Sequence, residues 1–351
     1  MLINYSKIFK ENLFDKTQKE KEIFFFNNLK KLHNYHQKNS KEYLNISKTL
    51  FKKNMNKIEN LPFLHVQMFK EKNLKSVQSN VNVKMFNSSG TSGKKLSMIN
   101  IDMKTSLLQA KVLNRILLSV LREKVDKIYF IDSETTLKTM RNSARGAAIL
   151  GFKQIANSFE FILDSKYKVK KKIIKKIIAE RKKICFFGFT SLVWLNFLNY
   201  LKKNKIFLKK KDTILFHGGG WKKIEKNKVS RKKFNLECKN YIGSNKIYNY
   251  YGMIEQTGSI FLECEYGLYH PSLFSEIIIR DENMIPCKPG KAGIIQVCSL
   301  LPISYPGHSI LTEDLGEIFA IDTCRCGRKG KAFKVLNRIK DSEVRGCSDV
   351  Y

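Results

Sequence analysis

The stretch Ile184–Leu201, ICFFGFTSLVWLNFLNYL, carries no formal charge and has lysines on both sides. It constrains the fold more than any other segment, because a run this apolar either crosses a membrane or lies in the middle of a protein. Its internal punctuation favours the second. Gly188 breaks the run into a short apolar strand, Ile184–Phe187, and a helix that Thr190 or Ser191 would cap and that would continue to Lys202. Asn196 and Asn199 would be costly against lipid. The expectation is a buried parallel strand, a glycine turn and a helix, with no transmembrane span.

The same alternation recurs along the chain. Ile128–Ile131 (IYFI) and Ile214–Phe216 read as further short buried strands. Between them, Lys168–Lys183 places Val169, Ile173, Ile174, Ile177 and Ile178 on one helical face. Residues 1–80 are mainly helical in character. From about residue 273 the pattern shifts to β-rich runs (FSEIIIR, GIIQVCS, GEIFAI) punctuated by Pro286, Pro289, Pro302 and Pro306. The expected organisation is a helical region over 1–80, an α/β core over 81–272, a β-rich lobe over 273–336 and a tail over 337–351.

Lysine and arginine number 65 against 31 acids, a net charge of +34. Such a charge favours anionic partners. Here it accompanies an excess of Asn, Ile and Phe, as an AT-rich coding bias spread over solvated faces would produce. The clustered aromatic and basic pattern of an RNA-binding module is missing, so no specific nucleic-acid partner is expected. Met1–Lys19 is polar, with no apolar core of a secretory signal. The eight cysteines are therefore expected to be reduced, metal-bound or catalytic in a cytoplasmic protein rather than disulfide-bonded.

Four motifs carry chemistry. Asn87–Lys95 reads NSSGTSGKK: small hydroxyl residues and two glycines gather backbone N–H groups and hydroxyls around one point, and lysine adds charge, as a polyphosphate requires. The spacing is not that of a Walker A loop, and a surface turn is the bland reading. Phe216–Trp221 reads FHGGGW directly after a strand, where three glycines let a flat ligand approach the backbone; a tight turn would look the same. Tyr250–Thr257 reads YYGMIEQT, with Glu255 either a hard oxygen ligand for Mg²⁺ or an acid in the first turn of a helix. Thr312–Gly316 reads TEDLG, where a carboxylate in a turn before a strand can hold both hydroxyls of a ribose or form an Asx turn.

Taken in order and at these intervals, the four motifs resemble the adenylate-forming enzymes, with NRIKD at Asn337–Asp341 similar to that superfamily's arginine and hinge aspartate. GGGWK, YGMIEQTG and VRGCS are similar to the acyl-protein synthetases of LuxE type. The resemblance covers about residue 85 to the end. It implies an α/β fold: the large N-terminal domain of the adenylate-forming architecture, layered α/β sheets with a small β-rich lobe. The usual C-terminal lid domain is not expected, since the sequence ends at Tyr351 soon after Asp341, as in the short acyl-protein synthetases. A glycine is implied where Asn337 stands. The implied reaction is ATP-dependent conversion of a carboxylic acid, such as a fatty acid, to an acyl-adenylate, followed by acyl transfer to a thiol. Ser88, Ser89, Gly90, Thr91, Ser92, Gly93, Lys94 and Lys95 would hold the phosphates. Gly218, Gly219 and Gly220 would line adenine, with Tyr251 and Gly252 beside the nucleotide. Asp314 would bind the ribose, Arg338 the ribose or a phosphate, and Glu255 the Mg²⁺.

The cysteines divide into two readings. Cys264 and His270 (ECEYGLYH) with Cys324 and Cys326 (DTCRCGR) supply three thiols and an imidazole, the closed donor set of structural Zn²⁺, and resemble the zinc quartet of some phenylacetate-CoA-ligase-like proteins. Cys347 lies near the terminus beside Arg345, a cation that favours the thiolate. In the acyl-protein synthetases this is the region of the acylated cysteine, so Cys347 would take the acyl group and pass it to an acyl-accepting protein such as an acyl reductase or a carrier protein. Two alternatives are an acyl-CoA or acyl-carrier-protein ligase that does not use Cys347, and an inactive scaffold.

Overall fold

The computed structural model describes residues 2–50, 55–88, 96–221 and 228–339. They form two compact units. One comprises the described residues of Met1–Asn87, Lys95–Leu113 and Gly252–Glu343, the other Ser88 and those of Asn114–Tyr251. The strands in chain order are β1 (Leu64–His65), β2 (Val83–Asn87), β3 (Met98–Asp102), β4 (Val125–Ser133), β5 (Ala156–Leu163), β6 (Ile184–Phe189), β7 (Ile214–Gly218), β8 (Lys246–Tyr251), β9 (Phe261–Glu263), β10 (Tyr269–His270), β11 (Ser275–Arg280), β12 (Gly293–Ser299), β13 (Ser309–Ile321) and β14 (Lys331–Arg338).

In the Asn114–Tyr251 unit, β4 to β8 make an all-parallel sheet in the order β8-β7-β6-β4-β5. Parallel strands covered on both faces read as unbroken apolar runs, and every residue of β6 is buried. The aromatic side chains of Phe130, Phe152, Phe187 and Phe216 pack in one layer, with Phe152 and Phe187 ring centroids 4.1 Å apart. The chain leaves β4 towards β5 and leaves β6 towards β7, in opposite directions. The gap between the carboxyl ends of β4 and β6 is therefore the switch point at which open α/β sheets bind ligands.

The apolar run at Ile184 is thus a strand and a helix, and no helix among the described residues is long and apolar enough to cross a membrane. The helix proceeds as Thr190–Leu192, a π-turn over Val193–Leu198, and Asn199–Lys203. Thr190 does not cap it: Phe189 occupies the cap position without a side-chain bond. The Thr190 hydroxyl turns instead to β7, 3.0 Å from the Gly218 carbonyl.

In the other unit, β11-β12-β13-β14-β10-β9 form an antiparallel sheet, with β1 added in parallel on β13. β2 and β3 pair separately, with Asn87 opposite Met98. The helix Gln18–Asn39 starts with a reciprocal capping box between Thr17 and Glu20 and buries Phe25, Leu29, Leu32, His33 and His36 on one face. Its first turn is tied to the β-rich lobe. The Gln18 backbone N–H reaches the Asp322 carboxylate at 3.0 Å, and Lys21 lies 3.6 Å from the buried Glu276 carboxylate, which Lys331 approaches from the other side.

Candidate active site

The glycine loop follows β7 in the parallel sheet. Gly218 lies opposite Phe189 and Tyr250 in the two flanking strands. A Cβ on Gly218 would stand 2.4 Å from the Tyr250 ring. Gly219 and Gly220 have φ of +82° and +66°, the left-handed region that side chains disfavour. A Cβ on Gly219 would meet Phe189 at 2.9 Å, whereas one on Gly220 would meet none of the described residues within 4 Å. Among the described residues the loop is packed on one side and open on the other, so a flat group can lie on its backbone.

His217, just before the loop, is buried against Phe234, ring centroids 4.5 Å apart. Its Nδ1 is 3.0 Å from Thr190 Oγ1. The Thr190 hydroxyl has one proton, and the Gly218 carbonyl can only accept it. His217 Nδ1 must then carry the proton donated to Thr190, which leaves Nε2 as the unprotonated nitrogen. Burial pulls the His217 pKa down to about 3, so the ring is neutral at pH 7.

In the other unit, Glu255 sits in a single 3₁₀ turn, Ile254–Gln256, and is 3 % exposed. Its backbone is clamped from two sides. The Tyr305 hydroxyl donates to its carbonyl at 3.0 Å, and the neighbouring Gln256 amide donates to the Val297 and Gly307 carbonyls at 3.1 and 2.9 Å. These bonds fix the backbone of the turn that carries the carboxylate.

Asp314 lies not in a turn but inside β13, at an irregularity where its register with β14 shifts between Asp314 and Gly316. Its backbone partner is Arg338, whose Nε is 4.0 Å from Asp314 Oδ1. The firmer partner of Arg338 is Glu313, a residue the sequence reading passed over. Glu313 is buried, accepting from Arg338 Nη2 at 2.8 Å and from the Gln67 amide at 2.7 Å. The signal was the acid doublet of TEDLG: alternation along a strand sends the second acid outward and the first into the protein.

Cys264, His270, Cys324 and Cys326 converge, with all four donor atoms within 4.8 Å of one another. Cys264 follows β9, and His270 ends β10. Cys324 and Cys326 occupy a turn closed by the Gly327 N–H on the Cys324 carbonyl at 3.0 Å. Cys264 and Cys324 sulfurs are 4.0 Å apart, and Cys326 Sγ is 3.4 Å from His270 Nε2. Tetrahedral zinc with bonds of about 2.3 Å to sulfur would separate its ligands by roughly 3.8 Å, so the donor set and spacing fit this ion. Burial pushes the Cys326 thiol up to about 12 and raises Cys264, and it pulls His270 down to about 3. Two uncharged thiols and a neutral imidazole thus enclose a space that a divalent cation would convert to thiolate ligation.

Ser88 is half-buried at the end of β2. Ser89, Gly90, Thr91, Ser92, Gly93, Lys94, Lys95 and Cys347 lie outside the described residues.

A family model described as acyl-protein synthetase, LuxE, matches residues 4–351. A long-chain-fatty-acid–luciferin-component ligase of Vibrio harveyi is 22% identical over 333 residues, covering 91% of this chain and 85% of the relative. One of the same name from Aliivibrio fischeri is 25% identical over 181 residues, 49% of this chain and 46% of the relative. Among solved structures, a 2-hydroxyisobutyryl-CoA ligase with 2-HIB-AMP and CoA superposes with a TM-score of 0.74 at 14% identity, covering 93% of this chain and 77% of that one. A luciferase-like enzyme of Zophobas morio gives 0.51 at 16%, over 78% and 62%. At these identities the structural likeness speaks for the fold, which is that of the large N-terminal domain of adenylate-forming enzymes.

Proposed function

The chain belongs to the acyl-protein synthetase family, LuxE, and from that premise we propose that it is a ligase that activates a long-chain fatty acid with ATP and transfers the acyl group to a protein thiol. The family match over nearly the whole chain carries this reading. The adenylate-forming fold supports it independently.

In the first step a carboxylate oxygen attacks the α-phosphorus of ATP, pyrophosphate leaves, and the acyl-adenylate forms. Residues Ser88–Lys95 supply hydroxyls, backbone N–H groups and lysine charge for the phosphates, and Lys95 has the catalytic role among them. The open face of Gly219 and Gly220 takes the adenine ring, and Tyr251 and Gly252 would be further nucleotide contacts. Asp314 accepts from the ribose hydroxyls. Arg338, held by Glu313, donates to the ribose or a phosphate. Glu255 would hold Mg²⁺, which when bound supplies positive charge against the developing phosphate charge. In the second step the Cys347 thiolate attacks the acyl carbonyl, its S–C bond forms, and AMP leaves with the electrons of the broken C–O bond. The thioester then passes to an acceptor protein, an acyl reductase or a carrier.

Cys264, His270, Cys324 and Cys326 would hold a structural Zn²⁺, with no position left open for substrate. Their unoxidised thiols suit the cytoplasm, which fractionation of producing cells would test. The reaction is tested by ATP–pyrophosphate exchange over a panel of carboxylic acids. Exchange that depends on a long-chain acid supports the reading, and no exchange with any acid removes it.

A further inference from the structure

Beneath the glycine loop lies a layered group of side chains that the roles above leave unused. Asp132, near the carboxyl end of β4, and Arg145, in the first turn of the helix Ala144–Lys153, both have fully buried side chains. Arg145 Nε donates to Asp132 Oδ2 at 2.8 Å and Nη2 to Oδ1 at 2.5 Å. Thr136 Oγ1 adds a bond to Oδ1 at 2.8 Å. The guanidinium carbon lies 5.7 Å from the Phe189 ring centroid and 5.2 Å from that of Tyr167. Phe189 ends β6 and is the side chain against which Gly219 is packed. Carboxylate, guanidinium, phenyl ring and glycine backbone therefore follow one another across the carboxyl ends of β4, β6 and β7.

Stability alone does not call for this arrangement. A buried ion pair gains little over a well-packed apolar pair of the same volume. What the ion pair adds is direction. A two-bonded guanidinium has its plane fixed, and a cation over an aromatic ring favours one approach to that ring. The third nitrogen, Nη1, is buried with no hydrogen-bond partner among the described residues. The two bonds to Asp132 hold the group near both rings.

We propose that Asp132, Arg145 and Phe189 form a platform that sets the height of Gly219 and thereby positions the adenine ring of ATP. Arg145 and Phe189 are then positioning residues for the nucleotide. The inference rests on the reading of Gly218–Gly220 as the adenine-binding loop.

The test is pyrophosphate exchange by the full chain, with ATP and the acid varied separately, for Gly219→Ala, Phe189→Leu, Arg145→Lys and the Gly219→Ala/Phe189→Leu double variant. Phe189→Leu and Arg145→Lys are each expected to raise KM for ATP by about tenfold while KM for the acid and kcat change by no more than about twofold, because a displaced loop weakens nucleotide placement alone. Gly219→Ala raises KM for ATP as well. The double variant is less impaired than the product of its parents, since leucine relieves the clash with the new methyl, while the backbone strain of alanine at φ +82° remains in the single and the double variant. A merely structural role for the pair would lower the melting temperature and leave KM for ATP unchanged. Should Arg145→Lys not fold, Phe189→Leu, which removes no charge, carries the test. If Gly219→Ala raises KM for ATP and the other two variants do not, the platform is refuted and the adenine loop stands. If Gly219→Ala also leaves KM for ATP unchanged, the loop reading fails and the platform with it.

Discussion

Acidification from pH 7.5 to 5 is predicted to weaken the unit that holds the N-terminal helices through one group of buried histidines. His36 and His308 stack with ring centroids 4.8 Å apart. The Tyr43 hydroxyl bridges His33 Nδ1 at 2.9 Å and His308 Nε2 at 3.2 Å. His36 Nε2 is 3.2 Å from the Pro302 carbonyl and Nδ1 is 2.8 Å from Ser76 Oγ. A carbonyl only accepts, so the proton sits on Nε2 and Nδ1 accepts from the serine. The charged groups that bear on the cluster are the three imidazoles themselves and Lys30. Burial pulls His36 down to about 3 and His33 to about 4, and it lowers His308 well below the ordinary histidine value. Between those values and about 6.5 the unfolded chain binds protons that the folded protein does not. The stabilisation is therefore complete above about pH 6.5 and is lost as pH falls below it. For His36 alone the loss between pH 7.5 and 5 is about 2 kcal/mol, and His33 adds about as much again. The window lies above the titration of unfolded carboxylates. Urea denaturation of wild type and His36→Gln at both pH values isolates the term, because any contribution of the cysteine–histidine cluster is common to both. His36→Gln should be less stable at pH 7.5 yet lose about 2 kcal/mol less on acidification. An equal loss in the two proteins would refute the reasoning.

Cys326→Ser should lose zinc and lower the melting temperature by on the order of 5 °C or more, since structural zinc contributes directly to folding; wild-type protein from zinc-replete cells that contains no zinc by elemental analysis would rule the site out. Glu255→Gln, of the same size and uncharged, should slow pyrophosphate exchange by on the order of 100-fold with little change in melting temperature. Exchange at the wild-type rate would remove its metal role. Cys347→Ser should retain near-wild-type exchange and form no hydroxylamine-sensitive acyl-protein, because an alcohol is a far weaker nucleophile at neutral pH. A persisting thioester would mean that another cysteine carries the acyl group.

Local pattern was most informative where a segment is buried on both faces. IYFI became the centre of β4, and Ile184–Phe187 the start of the fully buried β6. The isoleucines 173, 174 and 177 do face the core, but their helix is shorter than the periodic run, spanning Lys171–Ala179. Val169 bridges back to Leu163, and the Lys170 N–H is taken by the Ile162 carbonyl, so the preceding residues fold back antiparallel against the end of β5 instead. Thr190 was misread because a hydroxyl at a strand–helix junction signals a cap, whereas here its oxygen accepts from His217 Nδ1 and its proton goes to the Gly218 carbonyl. The partnership of Glu313 with Gln67 and Arg338 was not legible, nor was that of Lys21 with Glu276. Such pairs join residues far apart in sequence, and no window of local periodicity contains both members. The cysteine–histidine quartet could be composed from the sequence by chemistry alone, but its convergence depends on the pairing of β10 with both β9 and β14.

The most direct measurement is the intact mass of the purified protein after incubation with ATP, Mg²⁺ and a saturated long-chain fatty acid. The expected result is a mass gain equal to the acid less one water, strictly dependent on ATP, reversed by neutral hydroxylamine and absent in Cys347→Ser. An unchanged mass across the acid panel, with no pyrophosphate exchange, would contradict it.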